Sequence, residues 1–326
     1  MITVPNEILT TLQAARRVLV AAHIYPDGDA LGSQLALGQC LESLGKEVFF
    51  YSEEEAGHLY DFLPGCEKLR HSLPADLAGF DCVVSVDCAE AQRMGKGAAQ
   101  LLTAKRLIMI DHHAGHKHFG DLHWIDPGRA STGEMVYDLV AALGAEISYE
   151  AAYCLYTAVV SDTGSFMYSS TSADTFRVAA ELVNRGVKPA DVAGKLFENF
   201  TVNRLKLLKL VLDSLEIHGD SRIALITVTP EMFSETATVS ADTENFINYP
   251  RSLASVRVAA FIKETRNSVV SVSLRSKGND CDVAAVAAEF GGGGHRNAAG
   301  FKIVGGERAT ISRELLRKLK QLVANL

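Results

Sequence analysis

Nowhere in the 326 residues does an apolar run approach the roughly 20 residues that a membrane-spanning helix requires. The opening segment MITVPNEILTTLQAARR also lacks the long apolar core and small-residue cleavage site of a secretory leader. Neither secretion nor membrane spanning is expected, and the chain reads as a cytoplasmic protein without a membrane partner. Positive charge is also scarce, with 32 Lys and Arg against 39 Asp and Glu and a net charge of −7. That balance does not describe a protein that coats nucleic acid with a broad basic surface. An anionic ligand has to be held by a local site, with cations offsetting the acids. Six cysteines (Cys40, Cys66, Cys82, Cys88, Cys154 and Cys281) are scattered without a CxxC pair. They fit reduced, mostly buried thiols. The single tryptophan, Trp124, fits packing better than base stacking.

What is present describes a globular α/β protein. Hydrophobic residues make up 48% and charged residues 22%, and the length allows two domains, each with its own core. RVLVAA (17–22) is a short continuous apolar run of the kind that suits a strand buried on both faces. The next stretch, 30–45, spaces Leu31, Leu35, Leu37, Leu41 and Leu44 for a helix, with Gly45 as its C-terminal cap. KEVFFYS, FDCVVSVD and RLIMID follow as further strands. Strands alternating with helical patterns predict a parallel, Rossmann-like sheet over residues 1–186. Ser131-Thr132-Gly133-Glu134 fits a capping box, and 148–162 and 171–186 fit helices. Two polar-faced helices over 187–217 read as a linker. From 218 to 326, β-branched strands, the helix DVAAVAAEF and a last strand AAGFKIV predict a second, smaller α/β domain.

The strands of the first half end on the same chemistry. RVLVAA runs into His23, Asp27 and Asp29; FDCVVSV ends at Asp87; RLIMI ends at Asp111-His112-His113; and a helix delivers Asp162. Each acid alone is adequately explained as a turn residue or helix cap. Jointly they are not, because open parallel sheets bind ligands at the carboxyl ends of their strands. Carboxylates gathered there repel one another unless cations neutralise them. Imidazole and carboxylate without thiolate favours Mn²⁺ over Mg²⁺, Fe²⁺ or Co²⁺. Six candidate ligands exceed what one ion needs. Two ions about 3.5–4 Å apart, sharing a carboxylate, are the arrangement that hydrolyses phosphate esters.

HIYPDGDALGS, SVDCA, DHHAGH and SDTGSF resemble the four successive motifs of the DHH phosphoesterase superfamily. GGGGHRNAAG (291–300) resembles the signature of the DHH-associated C-terminal domain. Order and spacing match over nearly the full length, and the chain is most similar to the NrnA group. That resemblance implies two divalent metal ions. His23 and Asp27 would bind the first, Asp29, His112 and Asp162 the second, and Asp87 both. It further implies that Asp111 orients a neighbouring ligand rather than ligating itself, and that His113 sits beside the scissile phosphate, donating a hydrogen bond or proton. The implied activity is hydrolysis of short RNA oligonucleotides to mononucleotides and of 3′-phosphoadenosine 5′-phosphate (pAp) to AMP. Linear or cyclic dinucleotides such as pGpG are the alternative substrates, inorganic pyrophosphate is a weaker one, and a nucleotide-binding regulator without turnover is the alternative class. A homodimer is compatible with all of these.

Gly291 to Gly294 have a plain explanation as a helix C-terminus. Glycines also let backbone N–H groups approach a phosphate, and His295 adds a donor. Arg275 and Lys277 stand at a strand end, and an arginine fork suits phosphate. The resemblance assigns the second domain to holding the nucleotide, with Arg275, Gly293, Gly294, His295 and Asn297 as the candidate contacts. Arg93 is a further candidate for phosphate, or a plain surface residue. His116, His118 and His123 lack the spacing of another metal site and read as solvated bystanders.

Overall fold

A computed structural model describes residues 4–57, 59–265, 269–278 and 280–324. Its contacts divide the chain into Met1–Asn199 and Phe200–Leu326. The division falls inside the segment 187–217, between its two helices.

The first unit is a five-stranded sheet of β1 (Arg17–Ala21), β2 (Glu47–Tyr51), β3 (Cys82–Val86), β4 (Leu107–Asp111) and β5 (Leu122–Ile125). The order is β2-β1-β3-β4-β5, and every pairing is parallel. Helices α1 (Asn6–Ala14), α2 (Gly28–Ser43), α3 (Ala98–Leu101), α4 (Thr132–Ala142), α5 (Tyr149–Asp162), α6 (Ala173–Asn184) and α7 (Pro189–Phe197) complete it. The continuous apolar runs have a direct cause, since both faces of the sheet are covered. Val18, Val20, Val84, Val86, Ile108 and Ile110 face the core built with α2, α4 and α5. Leu19, Ala21, Val83, Leu107 and Met109 face a second core under 73–104. Strand β5 was not read from the sequence: LHWI is short and only its Trp124 is buried. That burial places Trp124 in the core, as expected.

In this strand order the chain leaves β1 for β2 and then crosses back to β3. The adjacent strands β1 and β3 therefore flank a topological switch point, where their carboxyl ends open into a crevice. Helix α2 starts over that crevice. Its N-terminal half packs so closely on α5 that side chains are excluded: a Cβ at Gly32 would lie 2.4 Å from the Cys154 carbonyl oxygen, and one at Gly28 would lie 2.7 Å from Ser161 Oγ. This approach brings the start of α2, with Asp29, to the end of α5, with Asp162. Gly45 (φ 77°) follows α2 in the left-handed conformation expected of its cap. Ser131 accepts a hydrogen bond from Glu134 N–H (3.2 Å). The Glu134 carboxylate, however, faces Arg129 Nη1 (3.4 Å), so only half of the expected capping box is made.

The second unit contains α8 (Val202–Asp213) and a six-stranded mixed sheet. Its strands are β6 (Glu216–His218), β7 (Ile223–Val228), β8 (Val258–Thr265), β9 (Val269–Ser276), β10 (Gly293–His295) and β11 (Ala298–Val304), in the order β10-β11-β9-β8-β7-β6. Helices α9 (Pro230–Thr236), α10 (Asn248–Ser252), α11 (Val283–Glu289) and α12 (Arg308–Val323) accompany it. The alternation in VVSVSLRS matches a strand with one face in the core and the other half-exposed. Part of the glycine run, expected as an irregular helix end, forms β10.

Replacing Gly32 with Ala drives a methyl group into a backbone carbonyl that cannot rotate away. The first unit is expected to lose about 1–3 kcal/mol, measured by urea denaturation, whereas Gly45→Ala, with open space around it, costs only its left-handed conformation.

Candidate metal centre

Three strand ends and two helix ends converge. His23 follows β1 and is buried, with Nδ1 2.8 Å from the Ile24 carbonyl oxygen. The same Nδ1 lies 3.0 Å from Arg93 Nη2, and Nε2 lies 3.5 Å from Asp87 Oδ2. His112 repeats the device, with Nδ1 3.3 Å from the Arg129 carbonyl oxygen. Its Nε2 faces Asp162 Oδ2 (3.3 Å), Asp87 Oδ1 (3.6 Å) and Asp29 Oδ2 (3.7 Å). Each imidazole is thus anchored through Nδ1 and presents Nε2 to the carboxylates.

Asp87 stands between them. Its backbone takes the left-handed conformation (φ 54°), one that Asp tolerates better than most residues. Its N–H still donates to the Ile110 carbonyl (3.0 Å), extending the β3–β4 ladder by one bond. Strand β4 and this bond together fix Asp87 beside His112. Asp29 is held from another direction. The N–H groups of Thr132 and Gly133, at the start of α4, donate to its two oxygens at 2.7 and 2.9 Å, and Ser33 Oγ donates to Oδ1 at 3.1 Å. Thr132 Oγ1 also donates to Asp87 Oδ1 (3.0 Å). Asp27 is a helix cap after all: Oδ1 accepts from the N–H groups of Asp29 (3.1 Å) and Ala30 (3.0 Å). Capping occupies one oxygen and leaves the other available.

Donor atoms of His23, Asp27 and Asp87 lie within 4.8 Å of one another, and so do those of Asp29, Asp87 and His112. The two groups meet at Asp87. Asp162 joins the second through its contact with His112. Asp87, Asp111 and His113 form another close set, but Asp111 Oδ1 is already committed to His113, accepting from Nδ1 (2.7 Å) and the backbone N–H (3.2 Å). Asp111 is fully buried, and the residue it holds is His113, not one of the expected ligands.

The electrostatics of the bare cluster are unfavourable. Burial, then the charges of Asp87, Asp162 and Asp27, push the Asp29 carboxyl well above the ordinary carboxylate range. Burial and the neighbouring Asp27 and Asp87 raise Asp162 to about 6, against the lowering influence of His112. For Asp87 burial acts upward, but the His23 hydrogen bond and the charges of His113 and His112 outweigh it and lower its pKa. Burial opposes protonation of His113, while Asp111 and Asp87 overcome it and raise the pKa to about 9. Three crowded acids paired only with histidines in their ion contacts are a donor set that divalent cations would relieve. Asp162 also ends α5, where the helix dipole disfavours an anion. The residues fit divalent cations.

The remaining sequence candidates are placed as follows. Arg93 is half-buried with Nη2 3.0 Å from His23 Nδ1, so it lies against a candidate ligand. Arg275, His295 and Asn297 gather at one end of the second sheet, where Ala298 pairs with both Arg275 and His295. Asn297 Oδ1 accepts from Ser276 Oγ (3.0 Å), and Lys277 Nζ donates to the Leu253 carbonyl (2.6 Å). A Cβ at Gly294 would meet the Ala298 oxygen at 2.5 Å, whereas Gly293 is exposed with nothing within 4 Å. Of the three histidines read as bystanders, His118 is exposed, but His116 is buried and His123 half-buried. Ser33 and Thr132 were missed. Nothing in their local spacing signals a contact made by a distant helix terminus.

The N-terminal domain of the DHH family matches residues 17–159, and the DHHA1 domain matches residues 231–325. The chain is 34% identical over 289 residues to the bifunctional oligoribonuclease and PAP phosphatase NrnA of Thermus thermophilus, covering 88% of this chain and 84% of that one. Among solved structures it is similar to an exopolyphosphatase-related protein from Bacteroides fragilis, with a TM-score of 0.88, 29% identity and 97% and 96% coverage. RecJ of Thermus thermophilus, in complex with Mn²⁺, shares the fold at a TM-score of 0.58 and 15% identity, over 98% of this chain and 54% of RecJ.

A cation bound only by the native state raises thermal stability. At a Mn²⁺ concentration a hundredfold above its dissociation constant the gain is about 2.7 kcal/mol. The wild type is expected to melt about 5–10 °C higher with Mn²⁺ than with EDTA. Asp87→Ala should lose that increment and His113→Ala should keep it. A full increment in Asp87→Ala would refute the shared-carboxylate arrangement.

Proposed function

The chain belongs to the DHH phosphoesterase family, and on that premise we propose that it hydrolyses short RNA oligonucleotides to mononucleotides and pAp to AMP. The observation that carries this reading is the pair of imidazole–carboxylate groups joined at Asp87. His23, Asp27 and Asp87 would hold one divalent cation, and Asp29, Asp87, His112 and Asp162 a second, with Mn²⁺ the preferred ion. Bound there, the cations would supply Lewis acidity, easing ionisation of a water and offsetting charge on the phosphoryl oxygens.

The chain's own side chains do the rest. The carbonyls of Ile24 and Arg129 fix the two ligand histidines, so the site is preorganised and needs no rearrangement when substrate arrives. Thr132, Gly133 and Ser33 hold Asp29 in the same way. His113 donates its Nδ1–H to Asp111 Oδ1, which leaves Nε2 as the atom that would meet a phosphate oxygen and supply a hydrogen bond or proton as charge develops. Arg275, His295, Asn297 and the exposed Gly293 and Gly294 would hold the nucleotide's other phosphate. Arg93 would act through His23. The scarcity of Lys and Arg, 32 against 39 Asp and Glu, argues against an extended basic groove and so favours short chains.

No helix among the described residues is long and apolar enough to cross a membrane. All six cysteines are free, and burial pushes Cys40, Cys82 and Cys88 up to about 12. Unpaired, unreactive thiols support a cytoplasmic enzyme. The reading admits a homodimer, which sedimentation equilibrium of the full chain would reveal.

Purified protein with Mn²⁺ is expected to turn over both a labelled RNA dinucleotide and pAp, and EDTA to stop both. Inertness toward the two substrates removes the proposal, and faster turnover of pGpG would move it to dinucleotides. Gly293→Ala tests the second unit. Open space at Cβ means the fold should be unharmed, while KM for pAp should rise several-fold with kcat little changed.

A further inference from the structure

Five residues after Asp111, the chain has turned back on itself. His116 N–H points to the His113 carbonyl (3.3 Å), and the ring lies flat against Phe119, with centroids 5.4 Å apart and planes 5° from parallel. His118 and His123 meet the ring edge-on at 5.4 and 6.4 Å. Packed this way, His116 keeps only 8% of its surface exposed.

Its two ring nitrogens face different partners. Nδ1 accepts a hydrogen bond from the His118 backbone N–H (2.9 Å). An imidazole nitrogen that accepts carries no proton, so neutral His116 has its proton on Nε2. Nε2 lies 3.9 Å from Asp111 Oδ2. Both atoms are buried, and neither has a hydrogen-bond partner. The other Asp111 oxygen is fully engaged by His113. A buried carboxylate oxygen and a buried N–H facing each other is costly unless they pair. A shift of about 1 Å would bring them to ordinary hydrogen-bond distance.

We propose that His116 is a positioning residue, and that His116, Asp111 and His113 form one relay behind the scissile phosphate. His116 Nε2–H holds Asp111 Oδ2 and so fixes the carboxylate plane. Asp111 Oδ1 then holds His113 Nδ1–H and aims His113 Nε2. The inference rests on the phosphoesterase reading for the role of His113, although the tautomer of His116 does not.

Two variants and one spectrum test it, all on the full chain. His116→Phe keeps the ring stacked on Phe119 and removes the donor; His116→Gln keeps an N–H near the Nε2 position. With pAp and Mn²⁺, His116→Phe is expected to lose about 10–100-fold in kcat, the range typical of residues that orient an active group. KM should stay within about twofold, and the Mn²⁺-dependent rise in melting temperature should persist. His116→Gln should recover most of the lost kcat. Imidazole ¹⁵N spectra of the cation-free wild type should show His116 protonated at Nε2 and bare at Nδ1. A well-folded His116→Phe with unchanged kcat, loss of the Mn²⁺ increment in that variant, or a proton on Nδ1 would each overturn the assignment. Should His116→Phe fail to fold, His116→Gln and the wild-type spectrum decide. A wild type inert toward pAp and RNA would instead defeat the functional reading, and the spectrum would still judge His116.

Discussion

Mutual repulsion among Asp29, Asp87 and Asp162 is the constraint around which the first unit is built. Acids crowded at a site that buries two of them fully and half-covers the third are tolerated only where the scaffold holds them by force or a cation answers their charge. The force is visible. Glycines let α2 lie against α5 closely enough to present one acid from each helix. The start of α4 gives two N–H groups to Asp29, and a ladder bond fixes Asp87 in a left-handed turn. Taken together these contacts spend folding stability on a geometry that serves the fold poorly and suits divalent ions well. Such local conflict between stability and arrangement is where function is expected to reside.

Much of this was legible in the sequence, for identifiable reasons. Strands β1, β3 and β4 announced themselves because sheets covered on both faces need unbroken apolar runs, and each run ended on its functional residues. Parallel pairing with a switch between β1 and β3 then made convergence a matter of topology. Strand β5 escaped because only one of its four residues is buried, and β10 because glycines carry no pattern. Helices α1 and α12 present polar faces and were not read.

At the candidate site, the residue types that converge were legible and their supports were not. Ser33 and Thr132 act through contacts that the chain closes over long separations; Thr132 and Asp29 stand 103 residues apart. His116 was misjudged for a related reason. Spacing along a loop says nothing of whether the loop turns inward, and a reversal after His113 buries what looked like a solvated ring. Asp27 is the instructive middle case, where the helix cap is made and the proposed ligand role is compatible with it. One oxygen caps a helix while the other is left to ligate.

That double duty ties the origin of α2 to the cation site. With the proposed ligation, a carboxylate at position 27 would be under two independent selective pressures, so a descendant that abandoned the chemistry would still lose a helix cap by replacing it with an apolar residue. The surviving acid in such a lineage would be a relic of architecture, and its presence alone would be no certificate of activity. His23 and Asp162, which start no helix, would be the first to drift.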